Sequence, residues 1–408
     1  MDAAHATGIL KSITEAGLAG ASELDLLQEF CTRLNANELP VCRANVLIDT
    51  LHPVHEGRVF RWRRDEDEAN SVIEYGRSHE GTAAENWRRS PFYHLVQTGE
   101  AMLRRRIAPG QPVDFPVLEE LQALGQTDFL VLIHRFAAQG VIGEMDCVHS
   151  SWATDAPGGF TENQISMLCE LVPTFALAMK CASLARIAET LVETYLGRDG
   201  GQRVLSGRIE RGVTDRISAV LWYSDLRGFT RITETAAPGE IIPFLNDYAE
   251  AIISSVHDGG GDVLKLIGDG TLAIFKADEP ARACQCALGA VRLLRSRIGA
   301  LNLHRAGRGL PLTETYLGLH IGEVFYGNIG SRDRLDFTVV GPAVNEVSRI
   351  VALCRSVEKD VLVSSAFRSA ARDEDRAGLV SVGRYALKGV ARSQELFTLD
   401  LDEENGRS

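Results

Sequence analysis

A surplus of basic charge is missing from this sequence. Its 43 Lys and Arg stand against 55 Asp and Glu, a formal net charge of -12. A general binder of nucleic acid or of anionic membranes needs the opposite balance. Long apolar runs are missing as well. No stretch reaches the roughly 18 uninterrupted apolar residues that a membrane span needs. The best one, Leu171 to Ala185, is broken by Pro173 and Lys180. The start, MDAAHATGIL, has neither the basic residues nor the apolar core of a signal peptide. Cysteine is sparse: eight in 408 residues, none in the CxxC spacing of a zinc site. These absences lead to the expectation of a cytoplasmic chain with free thiols and no membrane span. What is present is ordinary globular composition, 45% hydrophobic and 24% charged. At roughly 150 residues per domain, two or three domains fit.

The first part of the chain alternates short helical and strand patterns. Leu24, Leu27, Cys31 and Leu34 recur at helical spacing within 22–38. VCRANVLI (41–48), RVFRW (58–62) and SVIEYG (71–76) read as strands. Ser90 before Pro91 predicts a helix start, and FPVLEELQALG (115–125) a short helix ending at Gly125. TDFLVLIHRF (127–136) and GEMDCVHSSW (143–152) read as closing strands. This order resembles a GAF- or PAS-like sensory domain, which implies an unidentified small-molecule or protein signal bound there. His52 and His55 suggest a metal or haem ligand but have no further ligand nearby in sequence, and Arg104-Arg105-Arg106 reads as a solvated run, with an anionic ligand site as the alternative.

A long helical pattern follows the turn APGGF (156–160), opened by a capping box of Thr161 and Gln164. Pro173 is expected to kink it. Leu177, Leu184 and Leu191 recur every seven residues, with Ile187 beside them. Two readings fit: a short dimer-type coiled-coil seam, or an amphipathic helix on its own domain. The next stretch, 197–212, holds five glycines and four arginines and reads as a linker containing the domain boundary.

Three motifs in the C-terminal half carry chemistry. In ISAVLWYSDLRGFTRI (217–232) an apolar strand delivers Asp225 at its end, before a turn into a helix. A carboxylate there can hold Mg²⁺ beside phosphate-facing N–H groups, or can merely cap the helix. In GGGDVLKLIGDGTLAIF (259–275) two strand-like segments flank Gly268-Asp269-Gly270, a hairpin whose tip carries a second carboxylate. That Asp is either a turn residue or, beside Asp225, half of a two-metal site. In LDFTVVGPAVNEVSRI (335–350) Asn345 and Arg349 stand at i and i+4 on one helix face. They can hold a sugar and a phosphate together, or can simply be exposed.

Together, SDLRGFT, KLIGDG and VGPAVNEVSR resemble the three motifs of the class III nucleotidyl cyclase catalytic domain. The resemblance implies that Asp225 and Asp269 bind two Mg²⁺ (or Mn²⁺) ions, with the backbone carbonyl of Leu226 on the second. Lys265 and Thr338 fall on the purine-selecting positions. Asn345 would orient the ribose and Arg349 would stabilise the transition-state phosphate. Gly228, Phe229 and Thr230 would lie along the phosphates, and Lys388 in YALKGV resembles the lysine on the terminal phosphates. Lysine donates to adenine N1 and threonine accepts from N6, whereas guanine needs the reverse pattern, so the pair implies ATP. Threonine in place of the commoner aspartate resembles subgroup IIIb, which includes bicarbonate-responsive bacterial enzymes. Pro342 stands where many relatives have Asp.

The expected fold is α/β (α+β): a mixed, mostly antiparallel sheet flanked by helices in the cyclase domain. A GAF/PAS-like α/β domain and a helical linker precede it. The expected domains are 1–160 sensory, 161–212 helical dimerisation and signalling linker, 213–400 catalytic, and 401–408 tail. The function this implies is an adenylate cyclase acting as a homodimer by metal-assisted phosphoryl transfer. Its rivals are a guanylate cyclase, a catalytically silent nucleotide-binding regulator and a diguanylate cyclase. Lys265 and Thr338 speak against the first and the intact Asp225, Asp269, Asn345 and Arg349 against the second. SDLRGFT and the Asn345/Arg349 helix do not fit the third.

Overall fold

In the computed structural model of the chain, residues 3–65, 71–76, 81–108, 110–136, 142–143, 145–387 and 393–399 are described. They separate into two units, Met1–Leu191 and Val192–Ser408. In the first, helices α1 (Ala3–Leu18) and α2 (Glu23–Ala36) precede β1 (Arg43–Asp49), β2 (Gly57–Arg63) and β3 (Ser71–Tyr75). Then come α3 (Gly81–Arg88), α4 (Pro91–Thr98), β4 (Met102–Arg106), α5 (Pro116–Ala123), β5 (Asp128–Arg135), β6 (Cys147–Thr154) and α6 (Glu162–Leu196). Ser22 and Ser90 cap α2 and α4 by accepting from the N–H groups of Asp25 and Tyr93.

The six strands form one antiparallel sheet in the order β3-β2-β1-β6-β5-β4. All eight positions of β6 are buried, because apolar clusters lie on both faces of the sheet's centre. On one face Phe30 of α2 stacks on Phe175 of α6 at 4.6 Å, with Trp152 edge-on to Phe30 at 5.5 Å. Glu23 is buried against α6. Burial opposes its charge, yet hydrogen bonds from Arg186 and Ser183 hold its carboxyl below the ordinary value. Arg104 does not lie in a solvated run: it donates to the fully buried Asp128 at 2.7 Å and to the Phe160 carbonyl. His52 accepts backbone N–H bonds from Val54 and His55 within its own turn. Among the described residues no three His, Cys, Asp or Glu converge as a metal site.

Helix α6 starts at the expected capping box, Thr161 and Gln164 bonding reciprocally, and runs on through Pro173. Its seam residues divide between core and surface. Ile187 is buried and Leu184 and Leu191 pack on the same core, while Leu177 is 60% exposed. The helix is long and apolar enough to cross a membrane by length and composition. Ten of its residues, Leu171, Val172 and Phe175 among them, are buried within the protein. Within 161–212, the residues up to Leu191 fall in the first unit and those from Val192 in the second.

The second unit contains α7 (Arg198–Leu205), β7 (Thr214–Leu226), α8 (Phe229–Thr235), α9 (Pro238–Asp258), β8 (Asp262–Ile267), β9 (Gly270–Lys276) and α10 (Pro280–Ala306). It continues with β10 (Thr315–Gly330), β11 (Leu335–Val340), α11 (Pro342–Val357), β12 (Val361–Ser364), α12 (Ser365–Ala370), α13 (Asp373–Ala377), β13 (Leu379–Tyr385) and β14 (Gln394–Leu399). Seven strands run β13-β14-β12-β10-β7-β9-β8, with β11 added on β10. Only β10 and β12 pair in parallel among the described strands. Alternation along β7 splits the core. Val220 and Trp222 face the cluster of α9 and α10, and Ala219 and Leu221 face that of α11. This is the mixed, mostly antiparallel, helix-flanked architecture that the motifs imply.

The first half of the glycine-rich stretch 197–212 is helix α7. A Cβ on Gly200 would come within 3.0 Å of the Phe337 ring, and one on Gly201 within 3.0 Å of Glu193. These glycines permit close approach. The Asp262 carboxylate accepts from the N–H groups of Arg198 and Asp199, which fastens α7 to the start of β8.

Candidate active site

Apolar pairing in the sheet centre sets where the acids stand. Strand β7 pairs with β9 from Ala219↔Lys276 to Ser224↔Thr271. The next residues along, Asp225 at the end of β7 and Asp269 in the turn before β9, are thereby neighbours. Strands β8 and β9 close at Ile267↔Gly270, so the connection is the two residues Gly268-Asp269. Gly268 has φ +63, a conformation that a side chain would strain. This is the hairpin that the sequence predicts.

The Asp225 carboxyl is pushed up to about 6, first by burial and then by the neighbouring Asp269. The Tyr223 hydroxyl is raised by burial and then by the charges of both acids. Two carboxylates held this close repel each other unless a proton or a cation lies between them. The capping alternative for Asp225 is excluded: the N-cap of α8 is Gly228, and no side chain bonds there. Leu226 buries its side chain in the α9/α10 cluster. Phe229 likewise turns inward, stacked on Phe244 at 6.2 Å. Its side chain is structural, whereas Gly228 and Thr230 on either side are exposed.

Lys265 and Thr338 lie on β8 and β11. Strand β8 carries a bulge between Val263 and Lys265. Leu264 is buried while Lys265 stays exposed, so the bulge aims the ammonium outward. On β11, Phe337 and Val339 face the core. Asp336 and Thr338 therefore share the other face. Lys265 forms an ion pair with Asp336, a residue the sequence motifs do not single out. Spacing alone gives no sign of it, because the contact joins residues 71 apart.

Asn345 and Arg349 share the outer face of α11, opposite the buried Ala343, Val347 and Ile350. Among the described residues no hydrogen bond or ion pair ties either side chain to another group. Pro342 sits at the first turn of α11, where its missing N–H costs nothing; the departure from Asp is structurally neutral. His320 is a satisfied strand histidine, its Nδ1 at 2.9 Å from Ser364 Oγ and its pKa lowered by burial despite Glu346. Lys388 lies outside the described residues. The cleft that touches Asp269 is lined mainly by Leu226, Ile242, Leu245, Ala249 and Leu266 and measures about 180 Å³. Ligand pockets for nucleotide-sized molecules usually measure about 300–1,000 Å³.

Comparison with known proteins bears on the same segment. The family "Adenylate and Guanylate cyclase catalytic domain" matches residues 213–400. An adenylate cyclase of Anabaena cylindrica is 33% identical over 160 residues, 38% of this chain and 31% of that protein. Adenylate cyclase 1 of Rhizobium meliloti is 29% identical over 180 residues, 43% of this chain and 26% of that protein. The chain thus spans about a third or less of these relatives' length. A crystal structure of an adenylyl cyclase from P. aeruginosa is 22% identical, with a TM-score of 0.42 over 46% of this chain and 96% of that one. A guanylyl cyclase, Cya2, is 29% identical, with a TM-score of 0.39 over 46% and 95%. Residues 213–400 are a catalytic domain of the class III nucleotidyl cyclases.

Proposed function

We propose that the chain is an adenylate cyclase, converting ATP to 3′,5′-cyclic AMP and pyrophosphate in a cytoplasmic homodimer. The observation that carries this reading is the convergence of Asp225 and Asp269, with the Asp225 carboxyl raised to about 6. A pair of hard oxygen donors that repel each other when empty suits Mg²⁺ or Mn²⁺. Two such ions, when bound, supply Lewis acidity that acidifies the ribose 3′-OH and neutralises the leaving pyrophosphate. The residues of the chain supply position. Asp225, Asp269 and the Leu226 carbonyl hold the ions. Lys265 donates to adenine N1 and Thr338 accepts from N6. Asn345 orients the ribose so that its 3′-oxygen lines up with the α-phosphorus. Arg349 stabilises charge on the α-phosphoryl oxygens as the bond to the bridging oxygen breaks. The backbone of Gly228, Phe229 and Thr230 lies along the phosphates, and Lys388 binds their far end.

The decisive assay gives the purified chain ATP or GTP with Mg²⁺ or Mn²⁺. Cyclic AMP from ATP is expected, and cyclic GMP alone would replace this reading by the guanylate one. Base reading has its own test. Lys265→Glu with Thr338→Cys reverses donor and acceptor, so the ATP preference should fall by about a hundredfold. An unchanged ATP-to-GTP ratio in the double variant removes this pair from base selection.

We read the first unit as a GAF/PAS-like sensor for an unidentified small-molecule or protein signal. Support comes from its six-stranded antiparallel sheet covered on both faces and from a helix, α6, that continues past its boundary. A signal shifts activity only by binding two arrangements unequally. Residues 192–408, cut so that α7 is kept, should therefore differ from the full chain in basal rate or ligand response. Identical kinetics across a broad ligand screen would leave the sensor reading without support.

A further inference from the structure

We infer that the first unit takes a small organic anion on one half of its sheet, with Arg61 gripping the oxyanion head and Asn45 accepting from a hydrogen-bond donor beside it. This rests on reading that unit as a sensor, and it gives the signal a chemical class. The class is a 2-hydroxy or 2-amino acid, or a small phosphate ester with a neighbouring hydroxyl.

Strand alternation brings the groups together. Phe60 and Trp62 of β2 face the cluster shared with α2 and α6, so Arg61 and Arg63 face the other side of the sheet. There Arg61 stands directly opposite Asn45 of β1, and Arg63 directly opposite Arg43. Asn45 is in turn opposite Ser151 of β6. The next row along is apolar, with Val59 between Leu47 and Ile73. Residues of α4 and α5 close over Phe129 and Val131 of β5 on this face. Among the described residues that cover thins toward β3: Leu47 and Val59 are half-buried, and Ile73 is 37% exposed.

Two orphaned atoms and one charge point to the ligand. Asn45 donates to Ser151 Oγ at 3.4 Å, but its own Oδ1 is buried without a partner. The Nε of Arg61 is likewise buried, and no described group accepts from that guanidinium. Its charge is disfavoured first by burial and next by Arg43, and Glu120 of α5 offsets only part of this. Glu120 is already held by Arg43 at 2.7 Å, with Arg63 at 3.9 Å. Like charges facing each other across paired strands are destabilising, and a buried polar atom left unmatched costs stability as well. A bridging water satisfies both atoms but brings no negative charge. An oxyanion supplies both. A carboxylate or phosphate matches the planar fork of a guanidinium, and a hydroxyl or ammonium close to it reaches Asn45. A short apolar tail then meets Val59 and Leu47.

The test is thermal melting of the full chain, read by tryptophan fluorescence. Trp62, Trp87 and Trp152 report on the first unit and Trp222 on the second. The probes are 2-hydroxybutyrate, glycerol 2-phosphate, butyrate (no donor) and 2-hydroxybutyramide (no charge), each at about 20 mM and one ionic strength. 2-Hydroxybutyrate or glycerol 2-phosphate should raise the first unit's transition by at least about 2 °C, and which of them does so separates carboxylate from phosphate. Butyrate should do less, and the amide nothing. Arg61→Gln and Arg61→Met should lose the response. Neither should lower the transition measured without added anion, because each removes a charge that burial disfavours. Asn45→Ala should bring the 2-hydroxybutyrate response down to that of butyrate. No shift in the wild type, or a shift that survives in both Arg61 variants, overturns the site and leaves the sensor reading to another ligand. Arg61 variants that both melt well below the wild type without anion would make Arg61 a brace of the sheet and overturn it too. Cyclic nucleotide production with and without the shifting anion tests the sensor reading separately: an anion that binds through Arg61 but leaves turnover unchanged keeps the site and removes the sensor.

Discussion

Asp225→Ala and Asp269→Ala each lower cyclic AMP production by at least about a hundredfold, the scale on which removing one charge-stabilising group from an active site acts. Neither loosens the fold. The reason lies in the sign of the Asp225 shift. Its carboxyl is raised from 3.8 to about 6 by burial and by Asp269, so the folded chain holds that proton more tightly than the unfolded chain. The stabilisation is complete below pH about 4 and is lost as pH rises to about 6 and beyond. At neutral pH the ionised pair is therefore a liability when no cation is bound. Removing either acid relieves it, and melting without metal should stay level or rise. Adding Mg²⁺ should raise the melting temperature of the wild type and leave both variants where they are, because a ligand stabilises only the state that binds it. Melting scans with and without Mg²⁺, beside a turnover assay, read all of this. A variant that keeps near-normal turnover with a normal fold would remove that acid from the metal site.

Where local signals agree with the fold, the sequence is legible. The hairpin of Gly268-Asp269 follows from turn chemistry, the starts of α4 and α6 from Ser90 and Thr161, and the outward face of α11 from the spacing of Asn345 and Arg349. Where tertiary contact decides, it is not. Glycines usually mark flexible chain, yet Gly200 and Gly201 lie in a packed helix because Phe337 and Glu193 leave no room for a Cβ. The heptad leucines of α6 have a repeat that fits two partners; Leu184 and Leu191 pack on the unit's own core, while Leu177 stays exposed. The ion pair of Lys265 and Asp336 needs a bulge and a fold-over of β11 that no local pattern announces. In the same way, Arg104 looks solvated in a run of three until the strand order places it beside Asp128.

Two inactive variants should rescue each other. One chain brings Asp225 to Asp269 and Lys265 to Asp336, while Asn345 and Arg349 point outward from α11 with no side-chain partner among the described residues. On the homodimer reading, one protomer supplies the acid pair and the other supplies Lys265, Thr338, Asn345 and Arg349 to the same site. A two-fold axis then makes two equivalent sites. Asp269→Asn alone spoils both, and so does Arg349→Ala alone. In a mixed dimer, one site collects both lesions and the other collects neither. Random exchange makes about half of all dimers mixed, each with one good site of two, so about a quarter of wild-type activity should return. Both substitutions in the same chain give no rescue with themselves, which supplies the control. The variants are co-expressed with different tags, mixed dimers are purified through both, and cyclic AMP is measured. Doubly tagged dimers that remain inactive would show that each chain completes its own site, whatever nucleotide it cyclises.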